Sequence, residues 1–282
     1  MSSRIVLVTD STSMLSADVV QAHDVTVVPL QVVVDSRSYD ESTDSDAAMV
    51  ADELRAGKPV STSRPSPQAF LEVYEELARG GADAVVSVHL SGEISGTCES
   101  ARLAARDAPV PVEVVDSRLV GVGTGFAVLA AAEALASGAD APKAADAARR
   151  RAAATTSLFY VDTLEHLHRG GRIGAAAKLV GSVLAVKPLL QLDDGRVVPL
   201  EKVRTSARAL GRLEQLAVEA AGSEDVDIAV AHLANPERAE KVAANLKDRV
   251  PGIQDLSVGE VGAVIGAHVG PGMVAVVIAP RV

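Results

Sequence analysis

Short β-branched runs alternate with alanine-rich stretches of helical length through the first half of the chain, and this alternation limits the fold more than any other feature. Strands are expected at Ile5–Thr9, Thr26–Leu30, Ala84–His89 and Val112–Val115. Helices are expected at Ser45–Arg55, Pro67–Ala78, Gly96–Arg106, Val120–Ala136 and Pro142–Ala154. Apolar strands spaced by helices indicate helices packed on a largely parallel sheet. The second half reads differently. A strand at Leu158–Val161 leads to a short helix ending at His168, the Gly170-Gly171-Arg172 break and a helix over Ala175–Leu184. Two strands follow around the hairpin signal Asp194-Gly195, then a helix over Ala207–Ala220, a strand at Val226–Ala231 and a helix over Pro236–Lys247. The expected class is α/β with two domains. Residues 1–155 form an N-terminal Rossmann-like parallel α/β/α sheet, and residues 156–282 a two-layer α/β domain with a mixed sheet.

Charge and cysteine content narrow the partners. Lys plus Arg number 27 against 37 Asp plus Glu, a net charge of −10 that resides in residues 1–150. This excludes a general nucleic-acid binder and disfavours anionic membranes as the main partner, leaving only transient membrane contact open. The single cysteine, Cys98, permits no internal disulfide, and the apolar run Ile5–Val8 is too short for an export-signal core. A cytoplasmic location is expected. Val261–Pro280 carries no Asp, Glu, Lys or Arg, but His268 and Gly270-Pro271-Gly272 interrupt it as a spanning helix. It reads as strand, turn, strand in a buried sheet. The acidic segment Asp35–Glu53 is either a docking surface or, as such runs usually are, solvated charge.

Hydroxyl-bearing loops follow nearly every strand of the first half. They are Thr9-Asp10-Ser11-Thr12-Ser13, Ser61-Thr62-Ser63-Arg64, Ser91-Gly92-Glu93-Ile94-Ser95-Gly96-Thr97 and Asp116-Ser117-Arg118. In a parallel sheet the carboxyl ends of the strands share one edge, and ligands bind there. With helices beginning at Gly96 and Val120, such an edge suits a small anionic group. Taken singly, Ser16, Ser95 and Ser117 are ordinary N-cap residues; four clusters on one edge argue for a ligand.

Standard catalytic signatures are missing. There is no phosphate loop ending in Gly-Lys-Ser/Thr, no Gly-x-Gly-x-x-Gly after the first strand and no His-Glu-x-x-His helix. In Gly92-Glu93-Ile94-Ser95-Gly96 the serine stands one place too late for a nucleophile elbow. His166 and His168 point to different sides of a helix, so no metal site and no cofactor are expected. Arg172, next to flexible glycines, and His268, at the lip of the Gly-Pro turn, are either ordinary surface and turn residues or the cationic side of an anion site. Two further classes stay open: a serine-dependent lipid hydrolase or acyltransferase with Ser95 as nucleophile and His268 as base, and a small-phosphate or nucleotide-binding module.

Seven stretches, in order along almost the whole chain, carry a family resemblance. They are VTDSTSML from Val8, STSRPSPQAF from Ser61, LSGEISGTCESA from Leu90, VVDSRLV from Val114, DTLEHLHRGGRIGAAAKLVGSVLAVKPLL from Asp162, GRVVPLEKVRT from Gly195 and GAHVGPG from Gly266. In these the sequence resembles the DegV family of bacterial fatty-acid-binding proteins. The resemblance implies a two-domain DegV-like fold that sequesters one long-chain fatty acid non-covalently, with the lipid site at or near the domain interface. It further implies a carrier without independent catalysis, which presents the carboxyl group to an ATP-dependent fatty acid kinase for acyl-phosphate formation. Thr62 and Ser95 match the hydroxyls that hold the carboxyl group, flanked by Ser63, Gly96 and Thr97, while Arg172 and His268 match positions of the same polar site. Arg64 stands where the motif more often has Gln, and Cys98 where an aromatic residue is common. Burying about fifteen methylenes gains roughly 12 kcal/mol against an association cost of about 4–15 kcal/mol, so tail burial can sustain binding without a covalent bond.

Overall fold

The computed structural model describes residues 3–41, 44–179 and 187–281. The chain forms two compact units and passes between them more than once. Its first segment gives β1 (Ile5–Asp10), α1 (Ala17–Ala22) and β2 (Val25–Val28). Next come β3 (Gln31–Val34), β4 (Arg37–Asp40), α2 (Asp44–Arg55) and β5 (Val60–Ser63). Then follow α3 (Pro67–Arg79), β6 (Ala84–His89), α4 (Thr97–Ala105), β7 (Val112–Asp116), α5 (Val122–Ala136) and α6 (Ala141–Ala154). The last stretch begins with β8 (Thr156–Tyr160), α7 (Glu165–Arg169), β9 (Lys187–Asp193), β10 (Arg196–Val203) and α8 (Ser206–Ala221). It ends with β11 (Val226–His232), α9 (Pro236–Arg249), β12 (Ile253–Glu260), α10 (Ala263–Val269) and β13 (Val274–Pro280).

In the first unit the strands run parallel in the order β2-β1-β6-β7, as the apolar runs require. Ser66 caps α3 by accepting from the Ala69 amide at 3.1 Å, and Pro67 supplies a preset φ at its first turn. That start places Phe70 and Tyr74, four residues apart, on one face of α3, where both bury fully against Val8, Val28 and Val85. The glycines of α5 allow close approach: a Cβ on Gly125 would stand 2.6 Å from the Ser13 carbonyl oxygen.

The second unit carries a mixed sheet in the order β10-β9-β8-β13-β11-β12, antiparallel except for the pair β11–β12. Its core packs Leu158, Leu189, Ile228, Val276 and Ile278 against Ala209, Leu213, Ala217 and Ala221, a stripe of every fourth residue along α8. Thr205 caps that helix, accepting from the Arg208 amide at 3.3 Å. Among the described residues no helix is long and apolar enough to cross a membrane.

Four expectations are corrected. The contiguous 1–155 domain does not hold, because Val32–Thr62 packs with the second unit and forms the three-stranded sheet β4-β3-β5 there. Ser61-Thr62-Ser63 is consequently part of strand β5 and not a loop after a parallel strand. The first limb of Val261–Pro280 is helix α10 instead of a strand, its β-branched residues overridden by burial and by a carboxylate at its amino end. The helix expected over Ala175–Leu184 is a 3-10 turn at Gly174–Leu179, and residues 180–184 lie outside the described residues. Strand β12 had no counterpart in the sequence reading.

Candidate functional site

At the carboxyl edge of the first unit, β1 ends in Asp10, β6 in His89 and β7 in Asp116. A buried chain of hydrogen bonds runs inward from this edge. Tyr74 Oη lies 2.9 Å from Ser87 Oγ, Ser87 Oγ 2.7 Å from His89 Nε2, and His89 Nδ1 3.0 Å from Asp10 Oδ2. With Asp10 as the anionic acceptor, His89 donates through Nδ1, accepts from Ser87 through Nε2, and Ser87 accepts from Tyr74. Every member is thereby satisfied. Burial pushes the Tyr74 phenol pKa up, which keeps it a donor. Although Ser, His and Asp stand in the order of a hydrolase triad, Ser87 and His89 are fully buried and offer no nucleophile to solvent.

The loop leaving β6 carries Ser95, Gly96 and Thr97. Ser95 is half-buried, its Oγ 2.9 Å from the buried Thr97 Oγ1 and accepting from the Thr97 amide at 3.3 Å. The exposed Arg64 side chain lies over Gly96, its guanidinium standing where a Cβ would project. Neither Ser95 nor Ser117 caps a helix; Gly96 and Gly121 occupy those positions, and only Ser16 acts as the expected N-cap. Ser63 turns to its own chain, donating to the Arg64 carbonyl at 3.4 Å. Cys98 faces the core of α4, where burial pushes its thiol up to about 12 and leaves it unreactive.

In the second unit Thr62, His268 and Arg172 come together. Thr62 Oγ1, on β5, lies 2.9 Å from Nε2 of His268, on α10. Nδ1 of His268 is buried without a partner and faces the α-carbon of Gly170, where a Cβ would collide with it. The mirror contact is made by His166, whose ring lies where a Cβ on Gly270 would project. Thus α7 and α10 each set a histidine on the other's glycine. Burial, with the Arg172 charge adding to it, lowers the His268 pKa to about 4, so the ring is neutral at ordinary pH. Burial and then Arg169 lower that of His166. An N–H at Nδ1 would point at carbon, so the favourable tautomer carries its proton on Nε2 and donates it to Thr62. The Thr62 hydroxyl proton is then free to be donated onward. Arg172 donates from Nη1 to the Gly170 carbonyl at 2.6 Å, which ties its guanidinium to the glycine beneath His268.

Glu41 positions α10, a role the sequence does not reveal: there it is one of the acidic residues of Asp35–Glu53, a docking surface or solvated charge. It is only 7% exposed, and its Oε1 accepts from the Val264 amide at 2.8 Å. A Cβ on Gly262 would collide with the same oxygen. The only signal was glycine at the position before an apolar run. Among the described residues no group of three His, Cys, Asp or Glu side chains could hold a metal ion. A cavity of about 570 Å³ between the end of α5 and α6, lined among others by Lys143, Asp146 and Arg150, shares no residue with either cluster.

Comparison with known proteins assigns the chain to one family. A family model described as an uncharacterised protein of the DegV family matches residues 4–281. The chain belongs to the DegV family. A DegV domain-containing protein of Streptomyces coelicolor is 53% identical over 281 residues, covering 100% of both chains. Among solved structures, a DegV family protein from Thermus thermophilus described as binding fatty acid matches with a TM-score of 0.93 at 34% identity, over 99% of this chain and 100% of its own. DegV of Bacillus subtilis, described as a fatty acid binding protein, matches at 0.89 and 32% identity with the same coverage. In this DegV chain, therefore, the α/β architecture and its division into a parallel and a mixed sheet agree with the family.

Proposed function

We propose that the protein binds a long-chain fatty acid non-covalently and presents its carboxyl group to an ATP-dependent fatty acid kinase. The observation that carries this reading is the Thr62–His268 pair: a hydroxyl held by a neutral imidazole at 2.9 Å, with its own proton available to an acceptor. A hydroxyl satisfies a carboxyl group in either protonation state, and the nearby Arg172 charge favours the ionised one. Ser95, with Gly96 and Thr97, supplies the donors of the first unit, while the hydroxyl of the neighbouring Ser63 is turned to the Arg64 carbonyl. The fatty-acid-binding relatives support the same ligand class.

The protein acts as a cytoplasmic carrier without catalysis of its own. A serine hydrolase needs a base within hydrogen-bond reach of its nucleophile. The described partner of Ser95 Oγ is Thr97, and Nε2 of His268 is taken by Thr62. Organic extraction of natively purified protein followed by mass spectrometry tests the reading: a stoichiometric fatty acid is expected, and a nucleotide in its place would overturn it. Arg172→Ala separates carrying from presentation. Kinase turnover is expected to fall by about tenfold, as for loss of a charge-assisted contact, with a smaller loss of fatty-acid retention. Unchanged values for both would remove Arg172 from the site.

A further inference from the structure

Within the second unit the segment from Asp162 to Arg172 packs on the segment from His268 to Gly272, and at three places a side chain of one lies on a glycine of the other. Asp162 Oδ2 stands where a Cβ on Gly272 would project, the His166 ring does the same at Gly270, and the His268 ring at Gly170. Two of these glycines are demanded by the backbone, since Gly270 and Gly272 have φ of 74° and 90°. Gly170 is not: its φ of −75° and ψ of −9° are ordinary helical values that any residue adopts. Apart from the His166 carbonyl oxygen, 3.3 Å from the Cβ position, what excludes a side chain at residue 170 is the imidazole of His268, with Cε1 at 2.9 Å and Nδ1 closer still. Both segments are pinned nearby. Lys187 Nζ donates to the Asp162 carbonyl at 2.9 Å and to its Oδ1 at 3.1 Å. Asn235 Nδ2 donates to the Gly272 carbonyl at 2.8 Å, and the Gly272 amide donates to the Leu233 carbonyl at 2.9 Å. A methyl group at residue 170 is therefore accommodated by turning the imidazole, the movable partner, and not by parting the segments.

We propose that Gly170 is a positioning residue for His268: its missing side chain leaves the seat in which the ring lies, and that seat brings Nε2 within 2.9 Å of the Thr62 hydroxyl oxygen. It acts on the Nδ1 edge of the ring, the edge that has no hydrogen-bond partner to orient it. A histidine is usually aimed by a partner on its second nitrogen, and here shape does the aiming. A turned ring no longer holds Thr62 through Nε2, so the hydroxyl loses the orientation in which its proton is available to a carboxyl group. The inference deepens the fatty-acid reading above and rests on it for this last step. An alanine at residue 170 keeps the carbonyl that receives Arg172, which separates the seat from the guanidinium.

The test compares wild type, Gly170→Ala, His268→Ala and the double variant, all as delipidated full-length protein, by palmitate titration and by nitrogen NMR of isotope-labelled histidine side chains. Wild-type His268 is expected as one tautomer with its proton on Nε2, and in Gly170→Ala as a mixture of both. Gly170→Ala is expected to weaken palmitate by about threefold to tenfold where the imidazole is present, and by less than about twofold in the His268→Ala background, where the seat is empty. A glycine that serves only the backbone gives the same loss in both backgrounds, which overturns the proposal, as does wild-type affinity or an unaltered tautomer in folded Gly170→Ala. If Gly170→Ala does not fold, recovery of folding in the double variant supports the clash with the ring, and failure of both overturns it. Absence of palmitate binding in the wild-type protein removes the fatty-acid reading alone; the tautomer of His268 then still decides whether Gly170 seats the ring.

Discussion

The polar clusters of the two units contrast in how completely they are satisfied. In the first, Tyr74, Ser87, His89 and Asp10 pass hydrogen bonds along a directed chain that ends on a carboxylate with several donors. In the second, the Nδ1 atoms of His166 and His268 are buried without partners, and a histidine is held neutral by its surroundings. Saturated buried polar groups make scaffold, because each bond only offsets the desolvation of its members. Buried nitrogens left unpaired cost stability, and at His268 the tautomer this imposes leaves the Thr62 hydroxyl proton unspent.

The largest effect follows from breaking the saturated chain. Asp10→Ala leaves His89, the Leu90 amide and Thr12 without their acceptor, and a loss of about 3–5 kcal/mol in urea unfolding is expected. A loss below about 1 kcal/mol would mean that the chain is not scaffold.

Acid sharpens the same contrast. His268 titrates near 4 in the folded protein against 6.5 for the free side chain. Between those values the unfolded state binds the extra proton, so stability falls as pH drops from about 6.5 to 4, by at most about 3 kcal/mol from this residue. His166 and His232, whose pKa values burial also lowers, add to the slope in the same direction. His268→Gln is expected to flatten the stability profile over this window relative to wild type; parallel profiles would show that the imidazole is not held neutral.

The elements with local signals were readable in advance. Ser66-Pro67 and Thr205 announce the starts of α3 and α8, and uninterrupted apolar runs announce the parallel strands. What escaped notice depends on distant partners. All four residues of the short β4 are exposed, and β12 alternates with polar residues, so neither has the apolar run that marks a strand in sequence. α10 looks like a strand by its valines and isoleucine, and the carboxylate at its start comes from a residue 223 positions away. Thr62, Arg172 and His268 were named from motifs, yet their grouping rests on the excursion of residues 32–62 into the second unit. Gly170 and Gly270 showed in sequence only as glycines near histidines; their purpose is steric and visible only once α7 and α10 pack.

Thr62 can be probed by palmitate titration of the wild-type, Thr62→Ser and Thr62→Val proteins, with unfolding followed in parallel. Thr62→Val removes the hydroxyl at nearly constant shape and is expected to weaken palmitate by about tenfold, as for one hydrogen bond to a charged acceptor, at a stability cost below about 1.5 kcal/mol. Thr62→Ser is expected to stay within about threefold of wild type. Equal palmitate affinity in Thr62→Val and wild type would contradict the assignment of this hydroxyl, poised by His268, as the anchor of the carboxyl group.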